Sequence, residues 1–227
     1  MKKWYETEDF AFKTETLKYF WNHRNNKLVS TKESLGGRKQ KFLVFYNLFS
    51  MIKSKPYSLN GLKAFKEGPV FNDVFRVVKE EKVYIENLNL GYDVGKMLDK
   101  EILDITTYFI SSMTFKEVST ITHEFDFWNK KYVPNPSNLY ENDIYERDIS
   151  DRDREYLLYI FDLYKKNLYG RYTLYKAKHN VIAIPISKFS EIHENKSMIE
   201  LMDKIVMDYN PVQIDLDAET GGLLIDC

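Results

Sequence analysis

The chain has 227 residues, of which 44% are hydrophobic and 15% aromatic, so it can bury a sizeable core and belongs with folded rather than disordered proteins. The net charge of −1 excludes a global preference for nucleic acid, and the single cysteine, Cys227, excludes an internal disulfide and favours a cytoplasmic location. No window is apolar enough to predict a membrane-spanning helix, so no membrane partner is expected.

The charges are unevenly spread along the chain. Residues 1–53 hold eleven lysines and arginines against five acids, which leaves the remaining residues acidic. A basic segment of this kind can face DNA or an acidic partner. It can also pair with acids of its own chain. We favour this second interpretation, which makes nucleic acid a secondary candidate partner.

Apolar residues at helical spacing predict that most of the first 170 residues are helical. A first helix is expected over Thr14–Leu28, followed by a break at Gly36–Gly37. The clearest helix covers residues 38–55. Its apolar stripe consists of Phe42, Phe45, Tyr46, Phe49 and Ile52.

Turn and capping signals divide the middle of the chain. Gly68–Pro69 is interpreted as a turn. The helix after it is expected to bury Phe71, Val74, Phe75 and Val78. A further stripe consists of Ile102, Ile105, Phe109 and Met113. Thr114 and Glu117 form a capping-box pattern, and Ser150 is a good start for a long helix that ends at Gly170. That helix is expected to bury Leu157, Phe161, Tyr164 and Leu168.

The last sixty residues differ in character. His179–Ser187 predicts a strand, and Pro185 favours an edge position in its sheet. Ser197 is expected to cap a short helix. Residues 211–226 alternate around a glycine turn and predict a hairpin. The predicted class is therefore α+β and mainly α, a compact helical domain with a small C-terminal β element.

The segment 122–128 sets a histidine and two acids beside a large aromatic residue. His123 with Glu124 or Asp126 is one candidate hydrolase pair. The structural alternative makes Thr122 the N-cap of a helix, with the acids in its first turn, His123 bonded to backbone and Trp128 anchored in the core. We favour the structural interpretation, which predicts no catalytic residue and no enzyme.

Other chemical motifs are missing from the sequence. The H-E-x-x-H zinc pattern fails because position 127 is Phe, and no glycine-rich phosphate loop or G-x-S-x-G elbow occurs. Asp151 and Asp153 are interpreted as surface acids. Aromatic residues alternate with lysines near residues 18–21 and 39–42, as in some single-strand binders, but core beside a solvated rim explains them better. No metal or other cofactor is expected.

Two stretches together resemble a known family. LKAFKEGPVFNDVFR contains Phe65, Gly68, Pro69 and Val70, and STITHEFDFWNKKY contains Thr122, His123, Glu124 and Trp128. Their order and separation resemble the G-P-V and T-H-E…W patterns of the Panacea domain, the domain of SocA-like antitoxins and of phage-associated proteins. KQKFLVFYNLFSMI and DISDRDREYLLYIFDLY lie where that family has helices. Phe65 and Phe127 depart from the family's usual tryptophan and proline.

The resemblance implies a mainly helical domain over residues 28–169, preceded by a helical segment at 1–27 and followed by an extension at 170–227. It also implies an antitoxin that binds a cognate toxin, or delivers that toxin to a protease. Its eight motif residues would then be structural or partner-related. The candidate contact surfaces are the basic N-terminal segment and the C-terminal hairpin. A phage-encoded regulator is the alternative.

Overall fold

The computed structural model describes residues 5–23, 35–80, 88–134, 142–217, 220 and 222–226, without the side chains of 35, 36, 78–80 and 226. The predicted α+β, mainly helical class is confirmed. The helices are α1 (Glu8–His23), α2 (Leu35–Ile52), α3 (Asn72–Glu80), α4 (Lys100–Ser112), α5 (Phe115–His123), α6 (Asp126–Lys131), α7 (Asp151–Asn167), α8 (Phe189–Glu194) and α9 (Lys196–Met202). None of these described helices is long and apolar enough to cross a membrane.

Helix α2 is the centre of the molecule and packs against α1, α4, α5 and α7. The predicted stripe residues Phe42, Phe45, Tyr46 and Phe49 are fully buried, and so are most residues between them, whereas Ile52 is only partly buried. A helix that is apolar on all sides is a core helix, so the single stripe predicted for it was incomplete. Around it, aromatic rings meet edge to face, as Phe109 does with Phe45 at 4.7 Å.

The first two helices differ from their predicted bounds. Helix α1 begins at Glu8, six residues before the expected start, and ends at His23. The expected break at Gly36–Gly37 is wrong, because both glycines lie in the first turn of α2. A Cβ on Gly37 would stand 2.6 Å from the Phe115 ring, so close helix packing rather than a chain break explains that glycine.

A β-hairpin that the sequence did not reveal follows α2. Strands β1 (Leu62–Phe65) and β2 (Gly68–Phe71) pair antiparallel, with Leu62 opposite Phe71. The turn lies at residues 66–67, so the turn predicted at Gly68–Pro69 is wrong, and Phe71 ends a strand instead of starting a helix. In α3, Val74 is buried but Phe75 is 39% exposed, against expectation. The side chain of Val78 lies outside the described residues.

The predicted caps of α5 and α7 are confirmed. Thr114 and Glu117 form a capping box at α5, and Ser150 and Asp153 form one at α7. The core predicted for α7 is buried as expected: Leu157, Phe161, Tyr164 and Leu168. Local sequence patterns therefore located these two helix starts correctly.

The C-terminal part is a four-stranded sheet with two short helices. The strands are β3 (Tyr172–Lys176), β4 (Val181–Pro185), β5 (Val212–Leu216) and β6 (Leu223–Asp226), in the order β3-β4-β5-β6. The edge position expected for β4 is wrong. Pro185 is tolerated because it ends the strand, beyond the two residue pairs that β4 forms with β5. The predicted 211–226 hairpin is confirmed as β5–β6.

The two faces of this sheet bury different partners. Ile182 and Ile184 face α8 and α9, while Val181 and Ala183 pack toward Tyr108 of α4. Helix α9 is capped by Asn195 and not, as expected, by Ser197, because the Asn195 carboxamide accepts from two backbone amides of the first turn. The sheet is thus packed directly on the helical part.

Candidate functional site

The eight family-motif residues lie close together, where the β1–β2 hairpin meets α2, α5 and α6. Trp128 of α6 donates its indole N–H to the Phe65 carbonyl at 2.9 Å. Glu67 lies in the turn of the hairpin, and its carbonyl accepts hydrogen bonds from Ser119 of α5 at 2.9 Å and from Lys41 of α2. The hairpin tip is therefore fastened by side chains from three helices.

Lys41 is the chemically unusual residue of this region and was missed by the sequence analysis. Its side chain is buried, and its Nζ donates to the Glu67 carbonyl and, at 3.2 Å, to Thr122 Oγ1. Burial lowers the pKa of Lys41 to about 7, and the nearby Glu67 carboxylate opposes that shift. The sequence signal that could have identified Lys41 is its spacing of four and eight residues from Phe45 and Phe49, which places a lysine on an apolar face of the helix.

Gly68 and Thr122 enclose the Lys41 ammonium. Gly68 has φ +96°, and a Cβ at this position would overlap both Lys41 Nζ and Thr122 Oγ1. Thr122 donates its hydroxyl to the Ser119 carbonyl at 2.7 Å and so presents a lone pair to Lys41. The N-cap role expected for Thr122 is wrong, since it lies inside α5. The glycine of the G-P-V pattern is required by close approach as well as by its backbone angle.

Helix α6 receives its cap from a distant residue. Asp153 accepts from the backbone N–H groups of Asp126 at 2.7 Å and Phe127 at 3.3 Å, and also from Ser150 N at 2.9 Å. Asp153 is buried, so its interpretation as a surface acid is wrong. One carboxylate thus satisfies the first amides of α6 and completes the capping box of α7.

His123 is held by stacking. Its ring lies 4.0 Å from that of Trp128, and Trp128 stacks in turn on Tyr132 at 5.0 Å. The expected hydrogen bond from the His123 ring to backbone is not formed at Nε2, which is buried and has no hydrogen-bond partner within the described part of the chain. The His123 carbonyl instead accepts from Asn129. Trp128, expected in the core, is only partly buried and packs against it, whereas its neighbour Phe127 is fully buried.

The acids considered as partners of His123 are directed elsewhere. The Asp126 carboxylate accepts from Ser150 at 2.9 Å and Arg152 at 2.8 Å, and Glu124 is exposed at the end of α5. Within the described ranges, no group of three or more His, Cys, Asp or Glu side chains is placed to hold a metal ion. The geometry around His123 is that of a packed corner between α5 and α6.

An apolar cavity of about 370 Å³ opens beside the hairpin. We call it the hairpin cavity. Its wall includes Gln40, Lys41, Phe65, Val70, Phe75 and Phe115. Phe65 and Phe75 are 38% and 39% exposed, with ring centroids 6.3 Å apart. Gln40 accepts from Phe71 N at 3.0 Å and so fixes β2 against α2. Pro69, the neighbour of Val70 in β2, is buried.

Basic side chains of the N-terminal segment pair with acids of the same chain. Lys13 is fully buried and bonds Asp9 and Asp73, both at 2.7 Å. Lys53 pairs with Asp162 of α7 at 3.3 Å. These contacts agree with the internal-pairing interpretation of the basic segment.

Comparison with protein-family models, with curated proteins and with solved structures gives no significant match. The Panacea resemblance therefore depends on the eight motif residues and their arrangement. Phe65, Gly68, Pro69 and Val70 lie on one hairpin, and Thr122, His123, Glu124 and Trp128 lie at the α5–α6 corner. The two groups are in contact where Trp128 bonds the Phe65 carbonyl and where Gly68 lies against Thr122.

Proposed function

We propose that this chain is an antitoxin-like protein that binds a cognate toxin and neutralises it by direct protein–protein contact, without turnover. The observation that carries the proposal is the hairpin cavity with Phe65 and Phe75 exposed at its rim. Exposed aromatic side chains around an apolar depression are typical of the centre of a protein interface. Two of the eight family-motif residues, Phe65 and Val70, belong to the wall of this cavity.

The hairpin cavity has the properties of a preorganised binding surface. Its volume of about 370 Å³ suits one or two apolar side chains of a partner. The hairpin that walls it is fastened at Phe65 and Glu67 by bonds from Trp128, Ser119 and Lys41. A surface that is already ordered loses little conformational entropy on binding, so its apolar area contributes more fully to affinity.

The location and the mode of action belong to the same proposal. The single cysteine suits a reducing compartment, and we place the protein in the cytoplasm. Two routes lead to neutralisation: covering the toxin, or delivering it to a protease. We place direct covering first, because the hairpin cavity supplies a contact surface and direct covering needs nothing further.

Co-expression with the product of the adjacent reading frame tests this function. The neighbour alone should arrest growth, and growth should return when this chain is co-expressed and co-purifies with it in a fixed ratio. Repeating the neutralisation with the two purified proteins, in the absence of any protease, separates covering from delivery. A harmless neighbour that does not co-purify would contradict the proposal.

A further inference from the structure

A second cavity, of about 320 Å³, lies between the helices and the C-terminal sheet. We call it the tyrosine cavity. Asp104, Tyr108 and Ser111 line it from successive turns of α4. Tyr169 lines it from the chain between α7 and β3, and Tyr172 from the start of β3. Because the spacing i, i+4, i+7 places three side chains on one helix face, α4 presents a polar stripe to this cavity.

Two hydroxyls of the tyrosine cavity have no hydrogen-bond partner among the described residues. They are Tyr108 OH and Ser111 Oγ, both buried, and Ser111 is only 3% exposed. Nearby hydroxyls of α4 are satisfied: Thr107 donates to Leu103 O at 2.7 Å and Ser112 to Phe109 O at 2.8 Å. Buried hydroxyls are nearly always paired in proteins, so these two point to a ligand.

A carboxylate gives the tyrosine cavity its charge. Asp104 accepts from Tyr19 through one oxygen, and from Lys100 at 2.6 Å and Tyr169 at 2.8 Å through the other. A carboxylate has about four acceptor sites, which leaves one for a ligand. Burial raises the pKa of Asp104, but the three hydrogen bonds outweigh it and hold the pKa below its usual value. Asp104 is therefore charged at neutral pH.

A ligand cation can replace Lys100, the charged partner that Asp104 already has. The Lys100 side chain is 77% exposed, and an ion pair in water contributes little stability because solvent screens it. The Asp104 side chain itself is only 17% exposed, so a ligand cation bound to it from the cavity side is screened less by solvent than Lys100. Aromatic rings add to the attraction, since a ring face binds cations through its quadrupole.

We propose that the tyrosine cavity binds a small organic cation that carries N–H donors, an alkylammonium or a guanidinium. Asp104 neutralises its charge, Tyr108 OH and Ser111 Oγ accept its N–H groups, and the tyrosine rings cover its apolar part. This assignment is independent of the toxin, because the hairpin cavity is built from other residues.

Calorimetric titration of the whole chain tests the assignment with four probes: agmatine, ethanolamine, choline and adenosine. Agmatine and ethanolamine should bind. Choline has no N–H group and should bind at least tenfold more weakly than ethanolamine, and the neutral adenosine should not bind. A blocked arginine amide, which represents an arginine side chain of a protein, is titrated as well. Comparing its affinity with that of agmatine, a free small molecule, shows which source of the cation the cavity prefers. Adenosine binding, or no binding of either N–H cation, would overturn the proposal.

Matched variants locate the site. Asp104→Asn should weaken agmatine at least tenfold, whereas Glu101→Gln, which removes a charge from the same helix outside the cavity, should not. Ser111→Ala and Tyr108→Phe should weaken binding while leaving the ligand-free protein as stable or more stable, since each removes an unpaired buried hydroxyl. Unchanged affinity in Asp104→Asn and both hydroxyl variants would refute the site.

Discussion

Lys41 shows how a single side chain connects the central helix to the motif residues. Its ammonium is buried against Gly68, the Glu67 carbonyl and Thr122. Burying a charge is costly unless hydrogen bonds satisfy it, and the Glu67 carbonyl and Thr122 Oγ1 offset part of that cost. The arrangement links α2, the hairpin and α5 in one contact, so changes here should affect both stability and the hairpin cavity.

Replacing Gly68 with alanine should destabilise the fold by roughly 2 kcal/mol or more, since the new Cβ meets both backbone strain and steric overlap. Gly170→Ala is the matched control. Gly170 has φ +76° with open space around it, so only the strain of about 1–2 kcal/mol applies. Urea unfolding measures both. Equal losses in the two variants would show that the enclosure of Lys41 is not tight.

The stability of the protein should depend on the pH through Lys41. Its pKa is about 7 in the folded state, below the ordinary value of 10.5, so from pH 7 to 10.5 the unfolded chain binds more protons. The free energy of unfolding contributed by this residue therefore rises with pH above 7, by at most about 1.4 kcal/mol per unit.

The Lys41→Met variant isolates this contribution. Wild-type stability minus variant stability should be lowest below pH 7 and increase up to pH 9. Lys96→Met, which removes an 85% exposed lysine, should keep the wild-type pH profile. Urea unfolding at several pH values gives the comparison, and a flat difference for Lys41→Met would show that the ammonium is not destabilised by burial.

At the scale of elements, local patterns were predictable and long-range ones were not. The capping boxes at Thr114 and Ser150 lie within four consecutive residues, so the sequence displayed them. The cap of α6 comes from Asp153, 27 residues after the Asp126 amide that it accepts from, and no local pattern reports such a pairing. This is why the N-cap predicted at Thr122 was wrong. The first amides of α6 donate to Asp153, which is distant in sequence, and not to a neighbouring residue.

The same reason explains the hairpin. A glycine followed by proline usually marks a turn, but Gly68 is needed where β2 passes Lys41, and the real turn at Lys66–Glu67 has no turn-forming residue. The hairpin cavity could therefore not be predicted. Phe75 was expected to be buried because helical spacing shows which residues share a face of α3. The spacing does not show what that face packs against, and Phe75 lies at the rim of the hairpin cavity.

Asp153→Asn should destabilise the protein by about 2–3 kcal/mol, because it weakens charge-assisted bonds at the starts of both α6 and α7. Asp151→Asn is the control, since Asp151 is an exposed acid in the first turn of α7 and its loss should cost about 0.5 kcal/mol. Thermal unfolding compares the two. A similar small loss in both would contradict the double-cap role.

At the scale of the whole molecule, the helical part and the sheet share contacts. Asn210 donates to the Glu117 carboxylate of α5 at 3.1 Å and accepts from Val181 N of β4 at 2.6 Å. The fold class followed from periodicity, whereas the order of the strands depends on contacts between distant residues. Pro185 led to the wrong prediction of an edge strand. A central strand tolerates proline at its end, which is where Pro185 lies in β4.

Removing residues 211–227 should unfold the C-terminal sheet. Val212 and Ile214 are buried against Ile182 and Ile184, and their loss exposes that core. Leu224→Lys is the control, since Leu224 is 49% exposed and should tolerate the change. Circular dichroism and thermal unfolding report both. A truncated chain that melts like the full one would show that the sheet contributes nothing to stability.

The claim that the hairpin cavity binds the toxin is tested most directly by affinity measurements on two surface variants. Phe65→Glu places a charge at the cavity rim, and Tyr159→Glu places one at a 62% exposed position of α7 outside it. With the product of the adjacent reading frame as ligand, Phe65→Glu should lose at least a hundredfold in affinity and fail to restore growth, while Tyr159→Glu should match the wild type. Full affinity and full rescue by a folded Phe65→Glu protein would contradict the account.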